Sequence, residues 1–148
     1  MEGTATSELH MFRKVLPRPP EMGRLLVNVT VSNATDPSMT LDCEALVDTG
    51  ASHLVLPAAW KPRLGKLETV RILYPETATQ ETVRGEICGP IRLEVEGFGP
   101  IFTEVMFINM HPTDGRYEPM LGYTPLEQIP VTVDMARHRL VEVAADLR

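Results

Sequence analysis

The residues best suited to chemistry lie in one short stretch, where a carboxylate interrupts two apolar runs. Residues 45–47 lead directly into Asp48, and residues 54–56 form a second apolar run that ends at Pro57. This pattern predicts a buried strand, a bend that Gly50 makes sterically easy, and a return strand. A carboxylate at the end of a buried strand is partly desolvated, which is one way to tune a pKa for acid–base chemistry. Asp48 is therefore the leading candidate for a catalytic group.

A second segment, near the end of the chain, also combines apolar residues with a glycine. Residues 119–122 read Pro-Met-Leu-Gly, and short apolar runs recur between residues 131 and 143. The composition between them predicts one short helix over about residues 124–128, with Thr124 as its N-cap and Pro125 at its first position. The segment therefore predicts a strand, a helix and a closing hairpin.

In both segments the chain resembles the retropepsin-like, single-lobe (clan AA) branch of the aspartic protease family. Leu46-Val47-Asp48-Thr49-Gly50-Ala51-Ser52 is similar to the active-site signature of those proteases, and Leu121-Gly122 is similar to the start of their closing stretch. The resemblance covers about residues 23–143. It implies an all-β fold, a small closed barrel-like lobe with one short C-terminal helix.

The resemblance also implies roles for individual residues. Asp48 is the implied catalytic residue, and Leu121 and Gly122 are implied as supporting residues beside it. Thr49 would form hydrogen bonds across a dimer axis, and Gly50 would let a substrate backbone approach closely. The implied active-site turn and substrate-binding residues are Thr49, Gly50, Ala51 and Ser52.

One aspartate is not enough to hydrolyse a peptide bond without a metal or a covalent intermediate, since the reaction needs both a base and an acid. Two carboxyls close enough to share a proton can fill both roles. An isologous homodimer would bring Asp48 of each chain together across a two-fold axis. The expected partners are a second copy and an extended peptide or protein substrate. Five other aspartates lack the strand-turn-strand context, namely Asp36, Asp42, Asp114, Asp134 and Asp146.

A hairpin flap from each subunit is expected to cover the substrate, and we place it near residues 70–85. Tyr74 and Pro75 are its candidate covering residues. The segment Tyr74–Gln80 contains no glycine. This composition departs from the glycine-rich flap tip of the viral family members.

Alternating apolar residues predict the strands that must position these segments. Short strands separated by Gly and Pro are typical of a sandwich or a small barrel. One helical turn is expected at residues 58–61, before Pro62 interrupts it. The predicted strands cover residues 25–31, 39–47, 67–74, 81–95 and 101–108.

Length and composition limit the other possibilities. The chain has 148 residues, which fits one domain over residues 23–148 preceded by a flexible arm over residues 1–22. It is 43% hydrophobic and 23% charged, with a net charge of −6 and scattered basic residues, so no nucleic acid is expected as a partner. There is no apolar run of about 18 residues and no secretory signal pattern, so we expect no membrane association and a cytoplasmic location. Cys43 and Cys88 are expected as free thiols, and no metal or other cofactor is expected.

Three functions are compatible with the sequence. The leading hypothesis is a homodimeric aspartic endopeptidase. The alternative is a catalytically weak retropepsin-fold module that binds peptides or dimerises, and the third is a structural β-domain with an incidental acidic turn. A relay between Ser52 and His53 is not expected, because neighbouring side chains on a strand point to opposite faces.

Overall fold

The computed structural model describes residues 24–76 and 79–143. Within these ranges the chain is mostly β-strand, with one α-helix, α1 (Tyr123–Gln128), and one 3-10 helix (Ala58–Leu64). The predicted all-β class with one short C-terminal helix is confirmed. The predicted arm, residues 1–22, lies outside the described residues. The strands are β1 (Leu26–Asn33), β2 (Asp36–Val47), β3 (Leu54–Pro57), β4 (Glu68–Leu73), β5 (Gly85–Val95), β6 (Ile101–Ile108), β7 (Met120–Leu121), β8 (Val131–Asp134) and β9 (Arg139–Glu142).

The main sheet closes on itself through β5. Its strand order is β1-β2-β7-β3-β6-β5-β4, and β5 also pairs with β1. The first half of β5, residues 85–89, pairs with β4, whereas its second half, residues 91–95, pairs with β1. The predicted closed barrel is therefore confirmed, with β4 as an added edge strand outside the ring.

Strand alternation fills the barrel with apolar side chains. Every second residue of a strand points to the same face, so one set of side chains lines the interior. Burying each such large side chain stabilises the fold by about 1.5–3 kcal/mol. The largest fully enclosed apolar side chains of the main core are Phe107, Leu54, Leu56, Leu64, Ile91, Leu93, Leu121, Val31, Val95 and Val105.

A smaller apolar cluster, here called the second cluster, lies on the outer face of three barrel strands. Val55 of β3, Ile87 of β5 and Met106 of β6 form its buried centre. Residues next to them along each strand belong to the main core, namely Leu54 and Leu56 in β3, Cys88 in β5, and Val105 and Phe107 in β6. The second cluster therefore occupies the opposite face. Its partly buried members are Ala51, Leu73, Ile108, Met110 and Met120.

Three predicted helix details were wrong. Pro62 does not interrupt the helix after β3 but lies inside it, and the carbonyl of Pro62 accepts a hydrogen bond from the Gly65 amide at 3.2 Å. A short 3-10 helix tolerates proline because proline loses only its donor. The N-cap of α1 is Gly122 rather than Thr124, and no side chain caps this helix. Since α1 begins at Tyr123, Pro125 is its third residue and not its first.

The closing hairpin, β8 with β9, forms a separate two-stranded sheet. Val131 and Leu140 anchor this hairpin in the main core.

Cys43 and Cys88 are free, and burial raises the pKa of Cys43 to about 11. Neither helix in the described part of the chain is long and apolar enough to cross a membrane.

Candidate active site

The Asp48 turn, residues 48–52, connects the end of β2 to β3. Asp48 is half-buried, whereas Thr49 and Gly50 are exposed. The Gly50 amide donates to Oδ1 of Asp48 at 2.9 Å, and the Ala51 amide donates to the Asp48 carbonyl at 3.0 Å. A Cβ on Gly50 would lie 3.2 Å from the same Oδ1, so glycine leaves room for this contact. The turn thus orients its own carboxylate.

A third strand, β7, lies between β2 and β3 in the sheet. β7 is parallel to β2 and antiparallel to β3, so it lies between the two strands that enter and leave the Asp48 turn. The Asp48 amide donates to the carbonyl of Leu121 at 3.0 Å, and the Leu121 side chain is fully buried. The backbone of Asp48 is therefore fixed by a strand that is distant in sequence.

Gly122 lies where the backbone of this region is most crowded. Its amide donates to the His53 carbonyl at 2.9 Å. A Cβ at this position would come within 2.5 Å of two carbonyl oxygens, those of Ala51 and His53. Only glycine allows so close an approach of two chain segments.

The first residues of α1 hold the far end of the Asp48 turn. The amide of Tyr123 donates to the Ala51 carbonyl at 2.9 Å, and that of Thr124 donates to the Ser52 carbonyl at 3.1 Å. These amides begin a helix and have no partner inside it, so the turn supplies their acceptors. Sequence analysis missed this arrangement. The available signal was a glycine directly before a helix without a capping side chain.

Ser52 and His53 contact each other, which the sequence analysis did not expect. Ser52 Oγ lies 2.7 Å from Nδ1 of His53. Both residues precede β3, which begins at Leu54, so strand alternation does not separate their side chains. The prediction that they diverge was wrong for this reason.

His53 also faces two charged residues from other strands. Its Nε2 lies 3.8 Å from Oε1 of Glu104 on β6, and the Arg71 guanidinium of β4 donates to the same oxygen at 2.9 Å. The His53 side chain is only 13% exposed. Burial lowers the pKa of His53 below its usual value, and the nearby Glu104 carboxylate opposes part of that effect.

The segment between β4 and β5, residues 74–84, forms a hairpin in its described part. Glu76 forms a β-bridge with Thr82, and the Val83 amide donates to the Pro75 carbonyl at 3.1 Å. Tyr74 is 65% exposed and lies with Pro75 at the base of this hairpin. Residues 77 and 78 lie outside the described residues.

The second cluster connects the hairpin to the Asp48 turn. Leu73, which directly precedes the hairpin, and Ala51, which belongs to the turn, both pack against it. At Gly85, where β5 begins, a Cβ would lie 2.7 Å from the Met106 sulfur. The second cluster therefore connects the turn to the base of the hairpin through continuous apolar contacts.

A separate groove of about 670 Å³ runs along the outer faces of β1, β2 and β5. It contains none of the predicted site residues. Three of its carboxylates bond to neighbouring side chains: Asp42 accepts from Thr30 at 2.6 Å, Glu96 from Asn28 at 3.0 Å, and Glu94 from Arg92 at 3.3 Å. Its acidic residues are Asp42, Glu44, Glu94 and Glu96. Across the described ranges, no group of three or more His, Cys, Asp or Glu residues could hold a metal ion.

Comparisons with known proteins address the fold. No family model and no curated protein matches the chain. Among solved structures, the EIAV protease in complex with the inhibitor HBY-793 matches with a TM-score of 0.54 and 18% sequence identity. The match covers 76% of this chain and 94% of the viral chain. The chain therefore has a retropepsin-like fold.

Proposed function

We propose that this protein is a homodimeric aspartic endopeptidase in which Asp48 of each subunit supplies one carboxyl of a catalytic pair. The observation that carries the proposal is the backbone arrangement around Asp48. Its amide is bonded to the Leu121 carbonyl, and its Oδ1 is bonded to the Gly50 amide. Such bonds hold one carboxylate at a defined position on the surface of the subunit.

The chemistry requires a second carboxyl at this position. One ionised carboxylate takes a proton from water as the oxygen of that water attacks the scissile carbonyl carbon. The other carboxyl, which is protonated, gives its proton to the carbonyl oxygen. The C–N bond then breaks as the first carboxyl gives the proton it took from water to the leaving nitrogen, and a hydroxyl of the tetrahedral intermediate returns its proton to the second carboxylate. Asp48 is the only acidic residue between residues 45 and 67, so the Asp48 turn of a second copy is the proposed source of the partner group.

The exposure of the turn agrees with a symmetric contact. Thr49 and Gly50 are exposed in the single chain, whereas residues 45–47 before the turn are buried or half-buried and β3 after it is buried throughout. In the proposed dimer, Thr49 hydrogen-bonds across the axis and stiffens the two turns. Gly50 admits the substrate backbone, and Ala51 and Ser52 border the cleft.

The proposed substrate is an extended peptide segment bound between the Asp48 turn and the hairpin. The proposed apolar contacts for its side chains are partly buried members of the second cluster, such as Leu73, Ile108 and Met120. Tyr74 extends from the base of the hairpin and is the proposed covering residue.

The test is cleavage of a chemically unfolded protein across acid to neutral pH, with Asp48→Asn compared with wild type. Asp42→Asn is the matched control, since Asp42 is an exposed strand aspartate in the outer groove. We expect Asp48→Asn to abolish cleavage and Asp42→Asn to retain it. Cleavage that persists in Asp48→Asn would remove Asp48 from the mechanism. Peptide binding without cleavage in all three proteins would instead identify a peptide-binding module.

A further inference from the structure

We propose that His53 is a positioning residue, which decides whether Ser52 of the Asp48 turn donates or accepts in the hydrogen bond between them. His53 also couples this turn to β4, through Glu104 and Arg71. The substrate-binding consequence rests on the proposed peptidase function. The arrangement of the ring rests on geometry alone.

The surroundings of His53 favour one tautomer. A neutral imidazole has one N–H donor and one acceptor nitrogen. If Nδ1 carried the hydrogen, the lone pair of Nε2 would face the Glu104 carboxylate at 3.8 Å, which is unfavourable. If Nε2 carries the hydrogen, it points toward Glu104, and Nδ1 accepts from Ser52 Oγ at 2.7 Å. The neutral ring therefore uses the hydroxyl hydrogen of Ser52 and leaves the oxygen lone pairs of Ser52 free to accept.

Protonation of His53 reverses the donor and acceptor roles in its hydrogen bond with Ser52. When a proton from solvent binds Nδ1, both ring nitrogens become donors. Ser52 Oγ must then accept from Nδ1–H, which frees its own hydrogen to donate elsewhere. Toward a bound peptide, Ser52 changes from an acceptor suited to a peptide N–H into a donor suited to a peptide carbonyl.

The same proton changes the link to β4. Arg71 and His53 both face Oε1 of Glu104, at 2.9 Å and 3.8 Å. Gly89 of β5 lies between these strands without a side chain, and a Cβ there would be 3.6 Å from Glu104 Cγ. Among the described residues, the charged groups that act on the ring are Glu104 from β6 and Arg71 from β4, and β5 presents Gly89 at this position. A positively charged His53 competes with Arg71 for the carboxylate that ties β4 to β6.

Enzyme kinetics measures the consequence for substrate binding. We expect the KM of wild type for a peptide substrate to rise about 5-fold as the pH falls through the pKa of His53, with little change in kcat. The reason is that Ser52 then no longer accepts a hydrogen bond from a peptide N–H. His53→Gln, which cannot titrate, should lack this change. His138→Asn is the control, because His138 is exposed at a φ of 52° that asparagine adopts readily. A pH dependence of KM that is the same in His53→Gln and wild type would overturn the proposal.

A measurement on the imidazole ring is independent of catalysis. Nitrogen NMR of wild type near neutral pH should show His53 with hydrogen on Nε2 and none on Nδ1. The pKa of His53 should fall further in Glu104→Gln and rise in Arg71→Gln, since these two charges act on it with opposite signs. Hydrogen on Nδ1, or a pKa of His53 that neither substitution moves, would overturn the proposal even if the peptidase test succeeds. The expected NMR result together with absent cleavage would leave the positioning of Ser52 in place and count against the peptidase function alone.

Discussion

The Asp48 turn and the outer groove both present carboxylates on the same barrel, yet they differ in what positions those groups. In the groove, acidic side chains lie on or directly beside strands, and three of them each accept a hydrogen bond from a different neighbouring side chain. In the turn, a single carboxylate is oriented by a backbone amide, on a loop fixed by β7 and by the start of α1. The difference is that neighbouring side chains hold the carboxylates of the groove, whereas backbone bonds from segments distant in sequence hold the turn that carries Asp48.

The largest expected difference is in peptidase activity. Asp48→Asn should lower activity by at least about 1,000-fold, since it removes acid–base chemistry from both subunits. Glu94→Gln and Glu96→Gln in the outer groove should change activity by less than about 2-fold, as expected for solvated surface groups. The measurement is the initial rate of peptide hydrolysis at equal dimer concentration. A comparable loss in the groove variants would contradict the distinction between the two regions.

The next largest effect is on stability. Gly122→Ala should lower the free energy of unfolding by about 3 kcal/mol, because the new methyl group would overlap two carbonyl oxygens of the turn. Gly99→Ala is the matched control, since a Cβ at Gly99 has no neighbour within 4 Å and its φ is not positive. Urea denaturation of both variants checks the expectation. Equal stability of the two would show that the turn is not tightly held against Gly122.

The smallest effect is the pH dependence that His53 contributes to stability. The pKa of His53 is lowered in the folded protein, so the unfolded chain binds the proton more tightly. The stability present above the unfolded pKa, about 6.5, is therefore lost as the pH falls through the lower folded pKa. Denaturation across this range should show a smaller loss in His53→Gln than in wild type. An equal loss in both proteins would show that burial of His53 does not contribute.

The sequence predicted the parts of the structure that depend on local pattern. Alternation identified the strands around Asp48, and Gly50 identified the bend. Two features required knowledge of distant neighbours. The start of α1 is decided by the close approach of Gly122 to Ala51 and His53, so the hydroxyl of Thr124 was a misleading local signal.

The surroundings of His53 could not be predicted for a similar reason. Glu104 and Arg71 reach it from β6 and β4, and only the strand order brings these residues together. Residues 74–84 illustrate a further limit. The composition allowed a hairpin near residues 70–85 to be predicted, but the roles of Tyr74 and Pro75 as covering residues remain predictions.

The most direct test of the central claim is the activity of a heterodimer with one wild-type subunit and one Asp48→Asn subunit, isolated through two different affinity tags. A doubly tagged wild-type dimer provides the control. If the two aspartates form one catalytic pair, the heterodimer should be as inactive as the Asp48→Asn homodimer. Half of the wild-type activity in the heterodimer would contradict a shared pair, because each subunit would then be catalysing hydrolysis alone.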